Sequence, residues 1–162
     1  MKYYAAIDTN VIVSAMLIPE SVPGMILKYA MAGLIVPLIN SEILNEYEIV
    51  LRRTKFNFKE ESINNVLSWL KKEGIVVCRT QSPEKFIDEK DVVFYEIVLT
   101  ERTIEDAYLI TGNTKHFPKK YFVVTPREML EIIDNDLLLD HTMFLAENKN
   151  KRVEITEQGL VK

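Results

Sequence analysis

An α/β fold with a mainly parallel central sheet is predicted by two features of the sequence. Short apolar runs of strand length alternate with longer segments of helical periodicity, and two of those runs stop at polar sets: Asp8-Thr9-Asn10 after the first and Thr111-Gly112-Asn113 after the fourth. Alternation of this kind places strands between helices on both faces. The 162 residues, 48% hydrophobic and 27% charged, set the size at one domain with an extension.

Tyr3 to Ile7 reads as a buried strand ending at Asp8. Val11 to Leu17 continues as helical turns, the stretch from Pro19 to Gly24 as a loop, and Met25 to Met31 as a helix stopped by Gly33. Leu34 to Ile39 is a second strand, after which Asn40-Ser41 caps a helix over about 42–53. A further helix over 61–72 ends at Gly74. Ile75 to Cys78 is expected as a third buried strand, which puts Cys78 in the core. Asp91 to Thr100 is a helix opened by an acid, and Ala107 to Ile110 is a fourth strand. A strand over 121–124 and a helix over 126–133 complete residues 1–134, with Pro126 suited to a helix start. Residues 135–162 form a C-terminal extension of unreadable role, in which Val153 to Ile155 suits a lone strand or docked arm.

Charge and cysteine content narrow the classes. Twenty Lys and Arg against 24 Asp and Glu give a net charge of −4, which excludes a stoichiometric nucleic-acid coater. An enzyme acting on nucleic acid is still compatible, because its site can be acidic with metal ions carrying positive charge toward phosphate. A single cysteine cannot form an intramolecular disulfide or a thiolate metal cage. A reducing, cytoplasmic setting is therefore expected, and no run approaches the ~18 apolar residues of a membrane span.

In an open parallel sheet, sites gather beyond the carboxyl ends of the strands. Asp8 lies there, although an acid after a strand often only caps the next helix. On the helix over 42–53, Ile43, Leu44, Tyr47, Val50 and Leu51 share a face, with Glu46 at its edge and Glu42 further out. Asp91, at a helix start, falls near the same end of the sheet. Three carboxylates brought together would repel one another and ask for a cation, and an all-oxygen set selects Mg²⁺ or Mn²⁺. His116 and His141 have no partner at metal spacing, although His116 sits close enough to Asn113 to touch substrate. Dinucleotide, Walker, nucleophile-elbow and zinc-protease motifs are absent, and Asp8-Thr9-Asn10 lacks the second aspartate of an aspartyl-phosphate loop.

The order of motifs resembles the PIN-domain ribonuclease family, in the branch described as toxin components of toxin-antitoxin pairs. The resemblance runs from about residue 3 to residue 133. It rests on Ala6-Ile7-Asp8-Thr9-Asn10-Val11-Ile12-Val13-Ser14-Ala15, on Ser41-Glu42-Ile43-Leu44-Asn45-Glu46-Tyr47 and on Asp88-Glu89-Lys90-Asp91-Val92-Val93-Phe94-Tyr95-Glu96. The last motif is Ala107-Tyr108-Leu109-Ile110-Thr111-Gly112-Asn113-Thr114-Lys115-His116-Phe117-Pro118. The family's acids fall on Asp8, Glu46 and Asp91, and Asn113 stands where many members carry Asp. Glu96 and Asp106 are candidate substitute acids.

The resemblance implies a three-layer sandwich and Mg²⁺- or Mn²⁺-dependent hydrolysis of RNA with 5′-phosphate and 3′-hydroxyl products. Asp8 would be the central ligand, Glu46 and Asp91 would bind directly or through waters, and Asn113 would position a metal-bound water. Thr9, Asn10, Ser14 and Thr111 would hydrogen-bond ligands or phosphate, with Lys115 and His116 also at the substrate. Arg52, Arg53 and Lys55, and Lys115, Lys119 and Lys120, would line a backbone track. A small antitoxin partner and homodimerisation are further implications. The competing reading is a non-catalytic module of the same fold that binds RNA or a protein, and a third is a DNA nuclease or phosphatase.

Overall fold

The computed structural model describes residues 1–159. They divide into two compact units, one of Met1–Met129 and one from Leu130 onward. The first unit holds a five-stranded sheet of β1 (Tyr3–Ile7), β2 (Ile35–Ile39), β3 (Ile75–Val76), β4 (Ala107–Ile110) and β5 (Val123–Val124). The spatial order is β3-β2-β1-β4-β5 and every pairing is parallel. Helices α1 (Thr9–Leu17), α2 (Val22–Met31), α3 (Ser41–Leu51), α4 (Glu60–Glu73) and α5 (Glu89–Glu101) supply the crossovers, and α6 (Pro126–Gly159) follows β5.

The chain winds outward from β1 through β2 to β3, then returns through α5 to lay β4 on the other side of β1. The winding direction reverses between β1 and β4, which opens a crevice beyond the carboxyl ends of those two strands. Their register pairs Ile7 with Ile110, so Asp8 and Thr111 emerge side by side at its mouth. Ala5, Ala6, Ala107, Leu109 and Ile110 are buried. The small side chains of β1 let α5 pack close over β1 and β4.

Local chemistry explains the element ends. The Ser21 hydroxyl accepts from Gly24 N–H at the start of α2, and the Asn40 side chain accepts from Ile43 N–H at the start of α3. Asp88 caps α5 by accepting from Lys90 N–H at 2.9 Å, so the helix starts earlier than its apolar pattern predicts and Asp91 sits inside the first turn. Thr125 and Glu128 form a reciprocal capping pair at α6. The end of α2 is a Schellman turn: Gly33 N–H donates to Ala30 O, Leu34 N–H donates to Tyr29 O, and Gly33 takes φ +82°.

Three expectations are corrected. The third strand stops at Val76, and Val77 adds only one more bond, to Ile39 O, before the chain leaves the sheet. As an edge strand it has one neighbour, and Cys78 beyond it is exposed rather than core. The fifth strand is two residues long, with Tyr121 exposed ahead of it. Val153 to Ile155 lie within α6 and are neither strand nor arm. In the second unit Leu137, Leu138, Leu139, Met143, Phe144 and Leu145 are exposed. Among the described residues no single helix is long and apolar enough to cross a membrane.

Substituting Gly33 by alanine places a side chain in the left-handed region, although open space surrounds the added Cβ. The expected cost is about 1 kcal/mol, read as a lower urea midpoint with an unchanged slope. Gly24→Ala, whose Cβ would lie 2.0 Å from Pro19 O, is expected to cost more than Gly33→Ala in the same assay.

Candidate active site

A cleft of about 200 Å³ opens at the β1/β4 crevice, lined by Asp8, Thr9, Asn10, Glu46, Arg53, Asp88, Lys90, Asp91 and His116 among others. Four elements converge on it: the end of β1, α3 with Glu46, the first turn of α5 with Asp91, and the loop after β4 with His116.

Asp8 is only 6% exposed. It precedes α1 but makes no side-chain capping hydrogen bond. Its Oδ2 accepts from the Thr111 hydroxyl at 2.6 Å. Burial pushes its carboxyl above the ordinary range; the Thr111 bond and the Thr9 and Asn10 N–H groups favour the charged form without cancelling that effect. Asp91 is also raised, first by burial and then by repulsion from Asp8 and Asp88, against an opposing contribution from His116. Two carboxylates that feel each other in one cleft make a site for positive charge.

The groups behind the acids hold them in place. The Tyr47 hydroxyl on α3 donates a hydrogen bond to Ile7 O, the carbonyl preceding Asp8. Arg79 donates from Nε to Glu96 on α5 and from a terminal nitrogen to Glu42 on α3, both at 2.7 Å. One guanidinium thus ties together the two helices that carry Glu46 and Asp91. Glu96 also accepts from Ser82 N–H at 2.9 Å and is 4% exposed. Glu96 is therefore committed to structure and is no substitute ligand, and Asp106 is exposed and paired with Arg102.

The other expected residues fall into three groups. Thr9, Asn10, Glu46, Asp91 and His116 line the cleft with Asp8; Thr111 is fully buried behind it. Ser14 is exposed on α1 and does not line the cleft. Lys115 lines a neighbouring groove with Phe117, Lys119, Lys120 and Tyr121, and Lys120 there is paired with Glu84. Asn113 is also not a lining residue; its side chain meets His116 at 2.8 Å. Arg52, expected at the rim, is spent on ion pairs with Glu48 and Glu60, whereas Arg53 and Lys90 line the cleft. Lys90, Tyr47 and Arg79 were not legible as site residues. Glu42 and Glu46 at i and i+4 on α3 were the only sequence hint that this helix carries polar work on two levels.

The donor set fits a hard divalent ion. Among the described residues no group of three or more His, Cys, Asp or Glu side chains is placed to hold a metal ion. Magnesium, however, is usually held by one or two carboxylates with waters and substrate phosphate completing an octahedron. Asp8 and Asp91 would supply the carboxylates, and the cleft has room for several waters at about 30 Å³ each. Thr9 Oγ1 is buried there without a partner, a hydroxyl available to a ligand.

These features define a parallel α/β protein with an acidic cleft at its topological switch point. The PIN domain family matches residues 4–115, and the chain belongs to that family. Its members are generally nucleases. Comparison with curated proteins gave no match.

Arg79→Met leaves the Glu96 carboxylate buried without its cation. The expected loss is about 2 kcal/mol, less than the 3–5 of a fully buried pair because the guanidinium is partly exposed, read by chemical denaturation. For Asp8 and Asp91 the native state holds protons more tightly than the unfolded chain, whose carboxyls keep the ordinary value of 3.8. Their contribution to stability therefore falls as pH rises from that value through the raised native ones. A bound cation reverses this, so the rise in Tm produced by millimolar Mn²⁺ is expected to be larger at pH 7.5 than at pH 5.

Proposed function

We propose that this protein is a Mg²⁺- or Mn²⁺-dependent endoribonuclease and the toxin of a toxin-antitoxin pair. The observation that carries the catalytic reading is the convergence of Asp8, Glu46 and Asp91 on one cleft, with Asp8 and Asp91 both held above the ordinary carboxyl range. The toxin assignment is supported by the motif order from Asp8 to Pro118.

Asp8 and Asp91 would hold the ion, with Glu46 reaching it directly or through water. The ion would acidify a coordinated water and offset charge on the phosphoryl group in the transition state. Thr111 fixes the Asp8 rotamer by donating to Oδ2. The exposed Asn10 amide can bond phosphate oxygens. Arg53 and Lys90 at the mouth supply positive charge to the phosphates on either side of the bond being cut. Lys115 and Lys119 would extend that track into the neighbouring groove, where the exposed Tyr121 offers a ring for an unstacked base.

A second reading, a PIN-fold module that binds without cutting, is favoured by Asn113 in place of an acid and by the lack, among the described residues, of three or more His, Cys, Asp or Glu side chains placed to hold a metal ion. Activity separates the two. Asp8→Asn keeps the side-chain shape but removes the central charge, and cleavage of single-stranded RNA is expected to fall at least ~10²-fold with an unchanged circular dichroism spectrum. Cleavage by the parent should stop in excess chelator and exceed that of single-stranded DNA or a phosphomonoester. Asp8→Asn cleaving like the parent, or cleavage persisting in chelator, defeats the catalytic reading. The toxin role predicts co-purification with a small protein encoded beside this chain.

A further inference from the structure

The loop after β4 connects the two cleft aspartates through an unbroken set of hydrogen bonds. Thr111 Oγ1 donates to Asp8 Oδ2 at 2.6 Å and accepts from Asn113 N–H at 3.0 Å. The Asn113 side-chain Nδ2 then lies 2.8 Å from His116 Nε2, and His116 Nδ1 lies 3.3 Å from Asp91 Oδ2. The donor and acceptor roles follow from chemistry. An amide nitrogen can only donate, so Nε2 of His116 is the acceptor and the imidazole proton sits on Nδ1, facing the carboxylate.

The local backbone makes this arrangement possible. Thr114–His116 is a turn of 3-10 helix that starts from Asn113. With three residues per turn, positions i and i+3 eclipse, which brings the Asn113 amide to the Nε2 edge of the imidazole. His116 lines the cleft and Asn113 does not. At this edge of the site the group presented to the cleft is therefore the imidazole, with the amide behind it. The family match ends at residue 115, one short of His116.

We infer that Asn113 and His116 are a coupled pair of positioning residues: Asn113 sets the tautomer of His116, and His116 anchors one oxygen of Asp91 so that the other is aimed into the cleft. This rests on the reading of Asp91 as a group that holds a divalent ion. Hydrogen-bonded partners of this kind orient a ligating carboxylate, and their loss typically costs about 10- to 100-fold in metal affinity. Asn113 thus acts on the ion through two intermediates rather than by its own oxygen.

The test uses the full-length protein with Mn²⁺ as the probe. In the metal-free protein, long-range ¹H–¹⁵N correlation spectra should show His116 protonated on Nδ1 alone, and Asn113→Ala should weaken that single-tautomer signature, which Asp91 alone then supports. By calorimetry, His116→Ala is expected to weaken Mn²⁺ binding at least ~10-fold. His116→Asn, whose Nδ2 falls where Nδ1 was, should recover most of that loss. Asn113→Ala should weaken binding in the parent and add nothing in the His116→Ala background. Circular dichroism and Tm confirm that each variant is folded.

A proton on Nε2 in the parent, unchanged affinity in His116→Ala, or additive losses in the double variant would each overturn the inference while leaving the nuclease reading intact. Absence of any Mn²⁺ binding by the parent would defeat both.

Discussion

Keeping the Asp8 carboxylate almost out of solvent at the end of the central strand works against its charge, and much of the surrounding structure compensates for that one placement. The Thr111 hydroxyl reaches it from a residue 103 positions away, which is possible only because β4 returns to pair with β1 in the register that sets Ile7 beside Ile110. Asp8 N–H in turn donates to Ile110 O. The remaining imbalance is electrostatic: burial holds the Asp8 carboxyl high, and Asp91 is pushed up by burial and by repulsion from Asp8. A divalent cation resolves that conflict better than any protein side chain in the cleft, because it is small and doubly charged and prefers oxygen.

The same logic explains why so much of the polar network lies behind the acids. Tyr47 pins the strand end that carries Asp8, and Arg79 spans α3 and α5 through Glu42 and Glu96. The Tyr47 hydroxyl and the Glu96 carboxylate are costly to bury and each is paired, as buried polar groups must be. Their common effect is geometric. A site that gathers acids from three elements can be no more precise than the distances between those elements, and a single guanidinium fork fixes two of the helices at once.

Charge is also sorted by location. The cleft's buried and half-buried charged residues are the acids Asp8, Glu46 and Asp91, and the cations that could meet phosphate, Arg53 and Lys90, are exposed. A protein of net charge −4 can thus act on a polyanion. Basic residues that a charge count would enrol in the same task are engaged elsewhere: Arg52 with Glu48 and Glu60, Arg102 over the rings of Tyr121 and Phe122, and Lys120 with Glu84.

By itself the sequence determined the alternation of strands and helices, the end of β1 at Asp8, and the edge position of Glu46 on α3. These follow from periodicity and capping, which act over a few residues. Tertiary structure decided which polar residues serve the site and which serve the scaffold. Glu96 and Glu46 are both acids on helices, yet one is committed to Arg79 and the other lines the cleft. Asn113 and His116 occupy one motif, but a three-residue 3-10 turn, too short to leave a periodic signature, puts the imidazole in front. Cys78 looked like core until the edge strand ended two residues before it. In each case the deciding contact joins residues far apart in the chain or depends on a single turn, and neither leaves a repeating pattern from which it could be read.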